Sequence, residues 1–269
     1  MTWTIDELAA RTPVRAPEPG TLEAARAVLD LPEMVPVVSR TPDGEPDGEV
    51  RGWLTTDRVD DRNGLWRSCA RAFDRTGLWP LVTGAFERSP VLAPAAPPED
   101  AATVLAACWW GLTPVLPDGT PLPHPPWPGL APGRGAPDER GVVLPRDLGA
   151  HRAGELLLVP ARRPADTLAG LGWYGAVNWS LSGAAIAGVL RSWEERFGAY
   201  VVRIGAATLD LVVTRPPATA RQLDLLAHEH FAFCPDNFSP QTGLEERLIP
   251  HEEYADRLRT ASGWHFWWD

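Results

Sequence analysis

Residues 219–237 read TARQLDLLAHEHFAFCPDN, and the fold turns on how this stretch is placed. Pro216 and Pro217 cannot continue a helix, Thr219 carries the hydroxyl an N-cap needs, and Gln222 three residues on completes a capping box. At about 100° per residue, Leu223, Leu226, Ala227, Phe231 and Phe233 make one broad apolar stripe. His230 and Cys234 fall inside that stripe, one turn apart. His228 lies on the other side with Arg221 and Asp224, and Glu229 sits on the border, so the His-Glu-His run is not a two-histidine ligand pair. Pro235 disfavours helical geometry for the residue before it, so the helix ends at Cys234. Asp236 and Asn237 then form a turn, their side chains bonding local backbone.

His230 and Cys234, with Asp236 just beyond, are the candidate catalytic set. A cysteine-dependent hydrolase or transferase would use them as base, nucleophile and orienting carboxylate. The same His230 and Cys234 would be half of a metal site if other ligands came from elsewhere. The plainer reading is a thiol packed as a small hydrophobe beside a core histidine, because a cysteine without a flanking reactive signature is ordinarily inert.

Upstream of this helix, residues 200–204 and 208–213 alternate in period two around Gly205-Ala206-Ala207, which predicts a β-hairpin. The alternation puts Tyr200, Val202 and Ile204 on one face, with Leu209, Leu211 and Val213 facing likewise. Before it, Ser182 caps a helix with Ile186, Val189, Leu190, Trp193 and Phe197 at i, i+3/i+4 spacing, closed by Gly198. Arg191 and Glu195 are placed to pair across one turn of its outer face, where Glu194 and Glu195 read as solvated. Residues 155–159 predict a short buried strand, and Pro164 begins a helix at its N1 position. Downstream, a helix after Pro250 leads to WHFWWD (264–269), where Trp264, Phe266 and Trp268 share one face and must dock in the core. Asp269 adds two carboxylates at that docked end.

In the first half, residues 22–29 predict a short helix capped by Thr21, and 35–38 with 50–54 predict a hairpin across a TPDGEPDG turn. Leu65, Trp66, Cys69, Ala70 and Phe73 recur at helical spacing, and Gly77 stops that helix before a strand at 78–83. Pro80 would hold this strand at an edge or a bulge. Residues 101–112 predict a helix apolar nearly all round and therefore buried, with Cys108 in the core. Residues 114–137 hold nine prolines and four glycines, a composition that favours a linker or long surface loop, or alternatively a proline-rich docking motif around 121–128.

Composition narrows the chemistry. All 25 basic residues are Arg, so a Walker A loop, a Schiff-base lysine and a pyridoxal-phosphate site are excluded. A net charge of −10 argues against nucleic acid and anionic membranes as partners and suits a basic one. Three widely spaced cysteines without a CxxC fit a reducing cytoplasm and neither a disulfide framework nor a zinc ribbon. Asp6 and Glu7 stand where a signal peptide needs a basic and then an apolar run. GxSxG, HExxH and GxGxxG are all absent, so no cofactor and no metal is expected.

GWYGAVN (172–178), LRSWEERFGA (190–199), TLDLVVTRPP (208–217), HEHFAFCPDN (228–237) and WHFWWD (264–269) resemble, in order and spacing, the bacterial family called domain of unknown function 4253. The resemblance covers residues 155–269. LWRSCARAFDRTGLWPLVTG (65–84) is similar to the segment that precedes the domain in many members, which implies one recurring architecture for the whole chain. It also implies that the CPDN turn and the WWD end belong to the family pattern, and it assigns no activity.

The expected fold is α+β: a small, mostly antiparallel sheet with helices packed on it, a C-terminal Trp-rich strand and an N-terminal α/β portion. The organisation expected is 1–113, a linker or loop at 114–140, and a C-terminal domain at 141–269, with the two parts sharing one sheet as an alternative. Trp173, Tyr174, Asn178 and Trp179, in a Gly-rich loop near Asp236 and Asn237, form the candidate binding set. Their rings either recognise a partner or pin the loop to the core. The expected function is a non-catalytic cytoplasmic module binding a protein or peptide, inhibitor- or immunity-like.

Overall fold

The structure, a computed structural model, describes residues 14–40, 45–56, 62–83, 96–133, 155–239, 248–261 and 263–268. The strands are β1 (Met34–Arg40), β2 (Pro46–Thr55), β3 (Leu78–Thr83), β4 (Glu155–Pro160), β5 (Ala199–Ile204), β6 (Thr208–Val213) and β7 (Gly263–Trp267). They form one seven-stranded sheet in the order β1-β2-β4-β3-β5-β6-β7, antiparallel except for the β3–β5 pair. The helices are α1 (Leu22–Arg26), α2 (Arg62–Arg71), α3 (Phe73–Thr76), α4 (Ala101–Gly111), α5 (Thr167–Leu171), α6 (Gly183–Phe197), α7 (Ala220–Phe233) and α8 (His251–Thr260). The fold is α+β. Because β3 lies between β4 and β5, strands from both sides of the proline-rich segment share one sheet and one core.

Pro80 therefore sits in a central strand, and not at the edge that proline chemistry predicts. Ala161 N–H donates to Gly77 O (3.0 Å), which fixes the alternation of the β3–β4 ladder and turns the Pro80 backbone away from β4, towards β5. There β5 pairs only with Val82 and Thr83, so no ladder bond needs the missing N–H. The freed Pro80 carbonyl accepts from Trp66 Nε1 (2.9 Å).

The 199–213 hairpin forms, but its faces differ from strict alternation. Tyr200 pairs with Val212 and Val201 with Leu211, and then a bulge between Val201 and Arg203 resets the register, so that Ile204 pairs with Leu209. One extra residue moves the following side chains to the opposite face. Leu209 and Leu211 then share a face with their β7 partners Phe266 and Trp264. Onto this face fall the rings of α6 and α7: Trp193 stacks on Phe266 (5.3 Å, 11°) and Phe233 meets it edge-on (5.2 Å). Trp264, Phe266 and Trp268 are all buried, as their shared face requires.

The helix caps follow the sequence. Thr219 and Gln222 make both bonds of the capping box, Ser182 accepts from Ala185 N, and Gly198 closes α6 at φ 57°. Helix α4 is buried on one face only, through Ala101, Val104, Leu105 and Trp109, while Trp110 is exposed and Cys108 half-buried. An all-apolar sequence does not show which side meets the core. Residues 114–133 form a strap over the helices, holding a single bridge, Val115 to Pro121. Trp109 Nε1 donates to Pro125 O (2.9 Å) and Gln222 Nε2 to Pro132 O (3.0 Å), which fastens the strap to α4 and α7.

Candidate functional site

The three candidate catalytic residues do not converge. His230 is 0% exposed, its ring wedged among Trp193, Trp264 and Phe266, with centroids at 4.9, 4.7 and 4.9 Å. Its Nδ1 lies 3.1 Å from the Tyr254 hydroxyl, and its Nε2 is buried without a hydrogen-bond partner. Burial, reinforced by the Arg196 charge, pushes its pKa down to about 3, so the ring is neutral. Cys234 is also 0% exposed, and its thiol lies 3.0 Å from Trp267 O and 3.5 Å from Asn237 Oδ1. Burial pushes that thiol up to about 12, the opposite of nucleophile activation. The i, i+4 spacing fails to pair the two because Cys234 is the C-cap at φ −149°, where the chain has left the helical track.

Asp236 turns outward, and its Oδ2 accepts from Trp179 Nε1 (2.8 Å). Asn237 turns inward. Its amide donates to His265 O (2.6 Å) while its Oδ1 accepts from Trp267 N (3.3 Å), as a neighbouring strand would. One side chain thus covers part of the free edge of β7. Trp268 Nε1 donates to Phe233 O (3.1 Å), and within the CPDN turn Cys234 and Pro235 are buried while Asp236 and Asn237 are half-buried.

The candidate binding loop divides. Trp173 is buried, donates to Gly205 O (2.9 Å) and meets Trp268 edge-on (5.7 Å), so its ring pins the loop rather than facing out. Tyr174, Val177, Asn178 and Trp179 are exposed. Asn178, Trp179 and Ser180 form one wall of a cavity of about 380 Å³, which is completed by Ala107, Cys108 and Gly111 of α4, by its C-cap Leu112 and by Ala232 of α7. Among the described residues Ser180 is the one non-glycine at positive φ (56°), and it stands in this wall. Such strain persists where the surroundings enforce it, and it clusters at functional sites. Burial, followed by the Glu99 charge, raises the Cys108 thiol.

Sequence reasoning missed two features. The first is this cavity, because α4 and the 177–180 loop meet only in the folded chain. The second is a cluster of Asp224, His228 and His251, each offering a ligand atom within 4.8 Å of the others. Asp224 and His228 were legible as i, i+4 neighbours, but His251 is brought to them by the docking of α8. Burial lowers the pKa of His228. The border residue Glu229 is in fact buried, bound by Arg196, Trp193 and the Ala131 N–H. Glu194 is buried too, held by Arg163 (3.0 Å) and Arg15 (3.4 Å), and not solvated. Arg191 pairs with Asp166 (2.6 Å), and it is Arg163 that takes Glu195 (2.9 Å).

Among the described residues, no helix is long and apolar enough to cross a membrane. No curated protein and no solved structure gives a significant match to the chain. Residues 155–269, which run from β4 through the CPDN turn to the terminal tryptophans, match the family described as domain of unknown function (DUF4253), and this chain resembles that family over them.

Proposed function

We propose that this protein is a non-catalytic cytoplasmic interaction module that holds an apolar side chain of a basic peptide or protein segment in the cavity between α4, α7 and the 177–180 loop. The observation that carries the reading is Trp179, 37% exposed at the cavity wall and held there by its bond to Asp236. A tryptophan fixed outside the core keeps a large contact area ready at little entropic cost, the property of an interface anchor. The walls are apolar at Ala107, Leu112 and Ala232, with the Asn178 amide to orient a guest. The carboxylates of Asp236, bonded to Trp179, and Glu99, whose charge reaches Cys108, favour a cation beside that guest. The net charge of −10 acts the same way at longer range. The free cysteines suit a reducing compartment. An inhibitor or immunity-type role fits this profile.

The test is a peptide-display selection on the purified protein, with Cys108 labelling as a second readout. Enriched peptides should pair an apolar residue with Arg or Lys and slow Cys108 labelling. Trp179→Ala should weaken them at least about tenfold, as expected for a hot-spot truncation. Peptides that bind W179A equally, or that leave Cys108 equally reactive, would overturn the reading.

A further inference from the structure

We propose that Asp224, His228 and His251 form a binding site for a divalent late first-row metal of the zinc class, joining α8 to α7 on the outer side of the helix layer. This goes beyond the cavity and does not depend on it. Asp224 and His228 are separated by one turn of α7 and so share a side of it, and His251 is the first residue of α8. His251 Nε2 lies 3.2 Å from Asp224 Oδ1, His228 Nδ1 lies 3.9 Å from the same oxygen, and the two imidazole centroids are 3.8 Å apart.

Three features distinguish the cluster from a chance meeting of polar groups. Its donors are two imidazoles and one carboxylate, a set that suits zinc, nickel, cobalt or copper better than magnesium or calcium. Both rings are held from behind: His228 lies against Trp109 (5.4 Å), and His251 lies parallel to Phe238 (6.4 Å, 17°). Rings fixed by their surroundings lose little freedom on coordination. The site is also reachable, since the side chains of Asp224, His228 and His251 are 59%, 24% and 30% exposed. Three protein ligands leave a coordination position for water or for a group on a partner.

Both rings also approach the Asp224 main-chain carbonyl, His228 Nδ1 at 2.9 Å and His251 Nε2 at 3.1 Å. For His228 this contact, with the proton on Nδ1, leaves the Nε2 lone pair free to bind the metal. For His251 the bond must give way to metal. A site built only for those hydrogen bonds would hold no ion, and that is the alternative the experiment separates.

The full chain, purified without a histidine tag and stripped with chelator, is titrated calorimetrically with Zn²⁺ and, for its visible spectrum, with Co²⁺. The expected result is saturation at one equivalent and a rise in the melting temperature as metal is added. His228→Gln and His251→Gln should each weaken binding at least about tenfold, as lost ligands do. His265→Gln, a histidine away from the site, should leave it unchanged. Melting curves of the metal-free variants show that each has folded, and Asp224→Asn supplies a third, milder loss. Absence of saturable binding by Zn²⁺ and Co²⁺, or binding undiminished in both histidine variants, would overturn the assignment.

Discussion

Arg196 and Glu229 meet as a bidentate pair: Nη1 donates to Oε1 at 2.7 Å and Nη2 to Oε2 at 2.6 Å. The same carboxylate accepts from Trp193 Nε1 (2.8 Å) and from the Ala131 N–H (2.7 Å), so one buried anion joins α6, α7 and the proline-rich strap. Glu229→Ala leaves the guanidinium, at 15% side-chain exposure, without its anion. The expected cost is about 3–5 kcal/mol, the range for breaking one partner of a buried pair. Arg196→Met with Glu229→Leu should be less destabilising than Glu229→Ala alone, because no charge is then stranded. Urea midpoints of the parent chain, Glu229→Ala and the double variant check both statements.

Glu194 makes stability depend on pH in an unusual direction. Burial outweighs Arg163, the Ala165 N–H and Arg15, and raises its pKa from 4.5 to about 7. Between those values the folded chain holds a proton that the unfolded chain has lost. The contribution of this group is therefore complete below pH 4.5, falls as pH rises through about 7, and is then constant. A shift of this size corresponds to at most about 3 kcal/mol. Glu194→Gln should remove that slope, as read from urea unfolding at a series of pH values. An unchanged slope would mean the carboxylate stays ionised beside its two arginines.

The cysteines should label in a fixed order. Burial raises Cys69 and Cys234 each to about 12, whereas Cys108 is half-buried in the cavity wall. A thiol reagent should modify Cys108 first in the native protein and reach the other two only at the rate of opening. Mass spectrometry of a labelling time course gives the order. Rapid native labelling of Cys234 near neutral pH would restore it as a nucleophile.

At Gly188 the Glu99 backbone lies close against α6. A Cβ at this position would stand 2.1 Å from Glu99 O, and the same segment is held by the bond from Glu99 N–H to Ala184 O (3.2 Å). Gly188→Ala gains helix propensity but must push backbone aside, so it should destabilise by about 1–3 kcal/mol. A thermal melt compared with Gly111→Ala, where a Cβ meets nothing within 4 Å, separates crowding from propensity.

What could be read from the sequence is what depends on neighbours along the chain. The capping box of Thr219 and Gln222, the Gly198 stop, the hairpin and the inward set Trp264, Phe266 and Trp268 all follow from local dihedrals and from periods of 3.6 and 2. The motifs of residues 155–269 carried the family resemblance, and the structure has the expected α+β fold. The site was less legible, because its chemistry depends on distances through space. His230 and Cys234 look like a pair at i, i+4, yet the chain leaves the helix at Cys234 and each side chain takes a different partner. A bulge at Val202 re-aims half of a strand, and Pro80 is central because its neighbour stops short of it. Only the packing of α8 on α7 brings His251 to His228, and only the approach of α4 to the 177–180 loop makes the cavity. Burial decides the rest: whether a carboxylate or thiol is charged depends on what surrounds it in three dimensions, which no residue specifies alone.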